Sequence, residues 1–260
     1  MAGHAELRYL RNTKAKSIIY LFLIMLLESP MSFYQTLVNA TQAERAYLLE
    51  APMIRRTFAG DFTLDHYVAF LNQAYHHVKH TVPLLMSVGA LLPESKEWLR
   101  EAVAEYIEEE LGHQEWVLND IAACGYDKEQ ARRSTPAFAT ELMVSYAYDS
   151  VRRVNPLCFF GMVLVLEGTS IALAEQAASK IAGTLQLPRK AFSYLNSHGA
   201  LDQDHIKFFE SLMDKITDPT DQALIIHSAK RFFYLYGDVF RSLEQPHGLT
   251  KKVVPEEATV

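Results

Sequence analysis

The sequence predicts an all-α protein, a single bundle of antiparallel helices. Three observations carry that prediction. Apolar residues recur at helical spacing through almost the whole stretch from Phe33 to Leu243. No segment shows the strict alternation of a half-buried strand or a hairpin dipeptide. The connections are short and marked by proline, glycine or a capping residue, which makes consecutive helices antiparallel neighbours.

In chain order, Phe33–Glu50 carries the first helical pattern. Thr63–Leu92 reads as one long helix with Leu64, Tyr67, Val68, Leu71, Tyr75 and Val78 on its apolar stripe; Pro83 is a kink site and Pro93 the stop. Ser95–Cys124 follows and ends at Gly125, a C-cap glycine. Thr135-Pro136 and Asn155-Pro156 each place a capping residue before a first-turn proline, opening further helices, the second over Leu157–Gly183. Pro188–Ile216 is the next helix, and Asp218-Pro219 starts the last, which runs to about Leu243.

The chain has 260 residues, enough for one large or two small domains, with 49% hydrophobic and 22% charged residues. A net charge of −6 without a long basic run gives nucleic-acid binding no support. The two cysteines, Cys124 and Cys158, make neither a disulfide framework nor a CxxC site, which leans towards a reducing, cytoplasmic setting. Residues 1–30 stand apart. The apolar run Ile18–Leu27 is too short to span a bilayer, and Glu28-Ser29-Pro30 is no signal-cleavage site, so a peripheral extension without stable membrane insertion is expected. The domain proper is expected over residues 31–245, with a polar, frayed tail over 246–260.

Three segments carry chemistry. His198-Gly-Ala-Leu-Asp202-Gln-Asp-His205 sets two imidazoles and a carboxylate on one helical face, a donor set suited to iron or manganese. Glu110 and His113 have the Glu-x-x-His spacing that supplies a carboxylate and an imidazole to one metal centre. Glu167 closes the apolar run Phe159–Leu166, where a buried carboxylate needs a cation, an arginine or a proton. Taken singly, each also reads as a solvated polar face or a paired charge. Together they offer three carboxylates and three imidazoles, a set of the right size for two metal ions.

That order of motifs resembles the heme-oxygenase-like diiron oxidases over roughly residues 33–243. The resemblance implies a seven-helix heme-oxygenase-like bundle, shared with TenA-like thiaminase II proteins and the pyrroloquinoline quinone synthase. It further implies two iron ions held by Glu110, His113, Glu167, His198, Asp202 and His205. The implied reaction is O2-dependent oxidation of a small molecule: N-oxygenation, desaturation or oxidative C–C cleavage. The substrate and O2 are the implied partners, with room for an external electron donor and for a homodimer.

One departure stands out. The family often carries a further glutamate on the preceding helix, whereas here that region reads Tyr75-His76-His77-Val78-Lys79-His80-Thr81, with no acid. His76 and His80 share a helical face and are candidates to replace that ligand or to line the pocket, and Lys79 is a candidate to hold an acidic substrate. The alternatives are a cofactor-free TenA-like hydrolase, which needs a pocket cysteine, a small-molecule-binding protein of the same fold, and a heme oxygenase binding heme through a histidine such as His66.

Overall fold

The computed structural model describes residues 31–245 and 247–252; the extension over 1–30 and most of the tail lie outside the described residues, as do the side chains of 198–204. The described residues are helical and form no strand, only one isolated bridge between Tyr126 and Lys251.

The helices are α1 Phe33–Ala40, α2 Gln42–Leu49, α3 Pro52–Ala59, α4 Leu64–Val78, α5 Thr81–Leu91, α6 Trp98–Glu110, α7 His113–Ala123, α8 Lys128–Arg133, α9 Phe138–Asp149, α10 Cys158–Leu185, α11 Ser193–Asp214 and α12 Pro219–Ser242. A π-helical turn, Ser150–Val154, joins α9 to the Asn155-Pro156 connection. The caps explain several starts. Thr63 and His66 form a reciprocal capping box at α4, Asp127 caps α8, and Asp218 accepts from the first turn of α12 with Pro219 as its first residue.

Three stretches expected as single helices are broken. The first divides at Thr41, the second at Lys79-His80, and the third at Leu111-Gly112. Gly112 adopts φ +90°, a left-handed conformation that only glycine takes without strain. Glu110 is therefore the last residue of α6 and His113 the first of α7, so this pair straddles a turn rather than sharing one helix.

α10 is the central element, packed against α11 and α12. By length and composition alone it could cross a membrane, but 56% of its most apolar window is buried inside the bundle. Its first half, Phe159–Val165, belongs to one apolar core with α5, α6 and α12; its second half, through Ala174, Ala178 and Ile181, belongs to a second core with α4 and α7. Gly161 lets α12 approach closely, since a Cβ there would sit 2.5 Å from the Ala229 backbone nitrogen. At the same crossing the Ser228 hydroxyl donates to the Cys158 carbonyl at 2.6 Å.

Two buried polar groups fix the start of α11. Asp120 of α7 accepts from the Ser193 and Tyr194 backbone N–H groups at 3.0 and 2.9 Å, and Tyr67 of α4 donates to the Ala191 carbonyl at 2.7 Å. The chain after α12 is not frayed throughout: residues 250–252 return to Gly125–Asp127, with Asp127 N–H donating to Thr250 and Lys252 N–H to Gly125.

Candidate metal centre

Between the two cores lies a cavity of about 160 Å³, bounded by α3, α4, α10 and α12 and reached by the ends of α5 and α6. Its walls are largely apolar, and Glu110 and Glu167 enter it from two different helices, together with Tyr106. Glu110 Oε2 lies 3.1 Å from Nδ1 of His113, whose ring is buried and stacks on Trp116 with centroids 4.0 Å apart.

α11 brings His205 to the same region. Its Nε2 lies 3.1 Å from Oε2 of Glu109, and its ring meets the edge of Tyr106 at 6.4 Å. Tyr106 therefore sits among the acids. Burial first, then the charges of Glu167, Glu109, Glu110 and Glu105, raise its pKa well above the ordinary phenol value. Asp202 and His198 occupy α11, but their side chains lie outside the described residues. Among the described residues no three His, Cys, Asp or Glu side chains come close enough to hold one ion.

The sequence-level choice of pocket histidines needs correction. His76 and His80 are not among the cavity's lining residues, and neither is Lys79. His76 Nε2 meets the Ser134 hydroxyl at 2.8 Å and its Nδ1 meets Lys79 Nζ at 3.2 Å; His80 Nδ1 meets the Tyr148 hydroxyl at 3.1 Å. Lys79 also lies 5.1 Å over the Tyr75 ring. The histidines of this helix that line the cavity are His66 and His77. His77 is 2% exposed and packs edge-on to Tyr236, with ring centroids 5.7 Å apart. The helical phase explains it: His77 follows Tyr67 by ten residues and Phe70 by seven, both of which line the cavity. Tyr106 and Glu109 were likewise not singled out from the sequence, although Tyr106 stands one helical turn before Glu110.

A profile of iron-containing redox enzymes matches residues 68–237. The chain belongs to the iron-containing redox enzyme family. Solved structures share the family's fold. A domain of unknown function with a heme oxygenase-like fold from Shewanella denitrificans OS217 superposes with a TM-score of 0.75 at 20% identity, covering 83% of this chain and 93% of that one. A TenA homologue from Pseudomonas syringae pv. tomato DC3000 gives 0.68 at 14% identity, over 82% and 93%. Heme oxygenase from Leptospira interrogans gives 0.64 at 17%, over 82% and 100%. These likenesses establish the heme-oxygenase-like all-α fold. No curated protein matches the sequence.

The donor set fits the family's iron. Carboxylate oxygens and imidazole nitrogens suit first-row divalent metals. A largely apolar enclosure disfavours the charged form of the two carboxylates that line it unless a positive partner accompanies them.

Proposed function

We propose that the protein is a non-heme iron oxidoreductase that binds two iron ions and uses O2 to oxidise a small molecule. The observation that carries this reading is the entry of Glu110 and Glu167 into one mostly apolar cavity, with a buried imidazole 3.1 Å from the first. Family membership adds iron and redox chemistry as the expectation. The ligands would be Glu110, His113, Glu167 and, from α11, His198, Asp202 and His205. When bound, the iron pair supplies the electron transfer and O2 chemistry that amino-acid side chains lack.

The chain's own residues supply the rest. The stack of His113 on Trp116 fixes the orientation of that imidazole. Glu109 beside His205 Nε2 is placed to hold the ring against rotation, and Asp120 anchors the first turn of α11. Phe159, Leu166 and Phe240 in the wall keep water from the cavity. The reactions that fit are N-oxygenation, desaturation or oxidative C–C cleavage, with electrons from the substrate or an external donor.

One observation favours this reading over TenA-like hydrolysis. That chemistry needs a nucleophilic thiol in the cavity, and neither Cys124 nor Cys158 lines it. Burial also raises both thiols, Cys124 to about 12, so neither is a thiolate near neutral pH. The test is anaerobic loading with Fe(II), followed by assay of chelatable iron and of O2 uptake. Iron held only as heme, recognised by its Soret band, would instead assign His66 and its cavity to heme.

A further inference from the structure

Phe58 stands between the cavity and the outside. It lies near the end of α3 and lines the cavity with Ile54, one helical turn before it. Among the cavity's described lining residues it alone is exposed, at 36%. The same side chain borders an open groove on the surface, formed with Glu175, Gln176, Ser179, Lys180 and Thr184 of α10. The phase of α10 explains the arrangement. Leu173, Ala177 and Ile181 line the cavity, whereas Gln176 and Lys180, each one position earlier than a cavity residue, line the groove. One residue turns about 100° around a helix of 3.6 residues per turn. Cavity and groove thus occupy adjacent faces of one helix, and Phe58 is a wall of both.

The backbone that carries Phe58 is pinned. Arg56 Nε donates to the Asp61 carbonyl at 3.1 Å and to its carboxylate at 3.0 Å, and Arg56 Nη1 reaches Glu244 at 3.3 Å. Gly60 N–H donates to the Thr57 carbonyl and Asp61 N–H to the Arg56 carbonyl, closing the end of α3. A Cβ at Gly60 would sit 3.3 Å from Lys180 Cε, so this turn rests on the Lys180 stem. The ring is the part left to move. An exposed side chain changes rotamer within nanoseconds, and the groove gives this one room to turn without a backbone shift.

Resting on the reading of the cavity as the place where a small molecule is oxidised, we infer that Phe58 is the gate through which that molecule enters, and that the clearance its ring leaves sets the widest substrate admitted. The groove selects little by charge: Glu175 and Lys180 offset each other, and Gln176, Ser179 and Thr184 are neutral. Selection at this door is by width. A slender molecule passes when the ring turns; a bulky one is held in the groove. The returning ring then shuts water out behind the substrate.

The test uses the full-length protein without iron. Ala177→Cys places a thiol in the cavity, and Gln176→Cys places one in the groove. Neither natural cysteine lines the cavity, and both are buried. Labelling by methyl and by benzyl methanethiosulfonate, followed at each site by mass spectrometry, compares a narrow probe with a wide one. Their ratio at one thiol cancels that thiol's own reactivity. Phe58→Ala should speed benzyl labelling of Ala177→Cys by about tenfold or more and methyl labelling by about threefold or less; Phe58→Trp should slow the benzyl reaction. Gln176→Cys should change by less than about twofold with either substitution. Leu173→Cys repeats the measurement at a second cavity position. A benzyl-to-methyl ratio in the cavity that ignores Phe58 would overturn the inference. So would equal acceleration of both probes, or the same acceleration at Gln176→Cys, since either marks a general loosening. Labelling needs neither metal nor turnover. A ratio indifferent to Phe58 in a protein that takes up two irons and consumes O2 therefore overturns the gate alone; a ratio set by Phe58 in a protein that takes up no iron overturns the iron reading alone.

Discussion

At the scale of single residues, His76 shows what the histidine-rich turn does. Lys79 Nζ donates to its Nδ1, so its Nε2–H donates to the Ser134 hydroxyl, which in turn reaches the Ala131 carbonyl at 2.8 Å. A proton on Nδ1 would face the Lys79 ammonium. Burial, then Lys79 and His80, lower the His76 pKa from the ordinary 6.5 to about 4. Between those values the unfolded chain binds more protons than the folded one. Stability from this group is thus complete above about pH 6.5 and declines as pH falls towards 4. Unfolding free energy in urea should drop by on the order of 1–2 kcal/mol between pH 7 and 5, and His76→Asn should flatten that part of the profile. Glu167 gives a second test at this scale. Glu167→Ala should lower the iron retained per chain and stop O2 uptake, while the circular-dichroism spectrum keeps its helical form. Residue types were legible in the sequence, but their directions were not. Three histidines within five positions, His76, His77 and His80, look alike until the phase set by Tyr67 and Phe70 turns His77 alone of them to the cavity.

At the scale of elements, the helices were legible because their caps and stripes are local, and three breaks were not because the apolar pattern continues across them. Thr41 bonds back to the Leu37 carbonyl at 2.9 Å while the chain changes direction, and Leu48 beyond it rejoins the same core as Leu37. The break at Leu111-Gly112 does carry a local signal, the glycine itself, which adopts φ +90° between Glu110 and His113. Gly112→Ala tests its role. No atom lies within 4 Å of a Cβ built there, so the cost is backbone strain alone, about 1–2 kcal/mol. Iron retention should weaken as well, because that turn sets Glu110 against His113. Gly161→Ala strains packing instead. Its Cβ would lie 2.5 Å from Ala229 N and 2.8 Å from Ser228 Cβ, so α10 and α12 must separate. A loss of about 1–3 kcal/mol or more in urea denaturation is expected.

At the scale of the whole molecule, the placement of Glu167 follows from α10 serving two cores. The apolar run before it packs into one, Ala174 and Ala178 after it pack into the other, and the interval between them borders the cavity. The sequence showed that a carboxylate follows a buried run. It did not show that the run ends where the second core begins, since that depends on α4 and α7 folding back from far along the chain. The central claim is that two carboxylates enter this cavity to hold iron. Its most direct measurement is iron per chain after anaerobic Fe(II) loading and removal of excess metal, compared between the natural protein, Glu167→Ala and Glu110→Ala. The account predicts two chelatable irons in the natural protein and a clear loss in each variant, with helical content unchanged. Iron absent from the natural protein, or retained equally by all three, would contradict it.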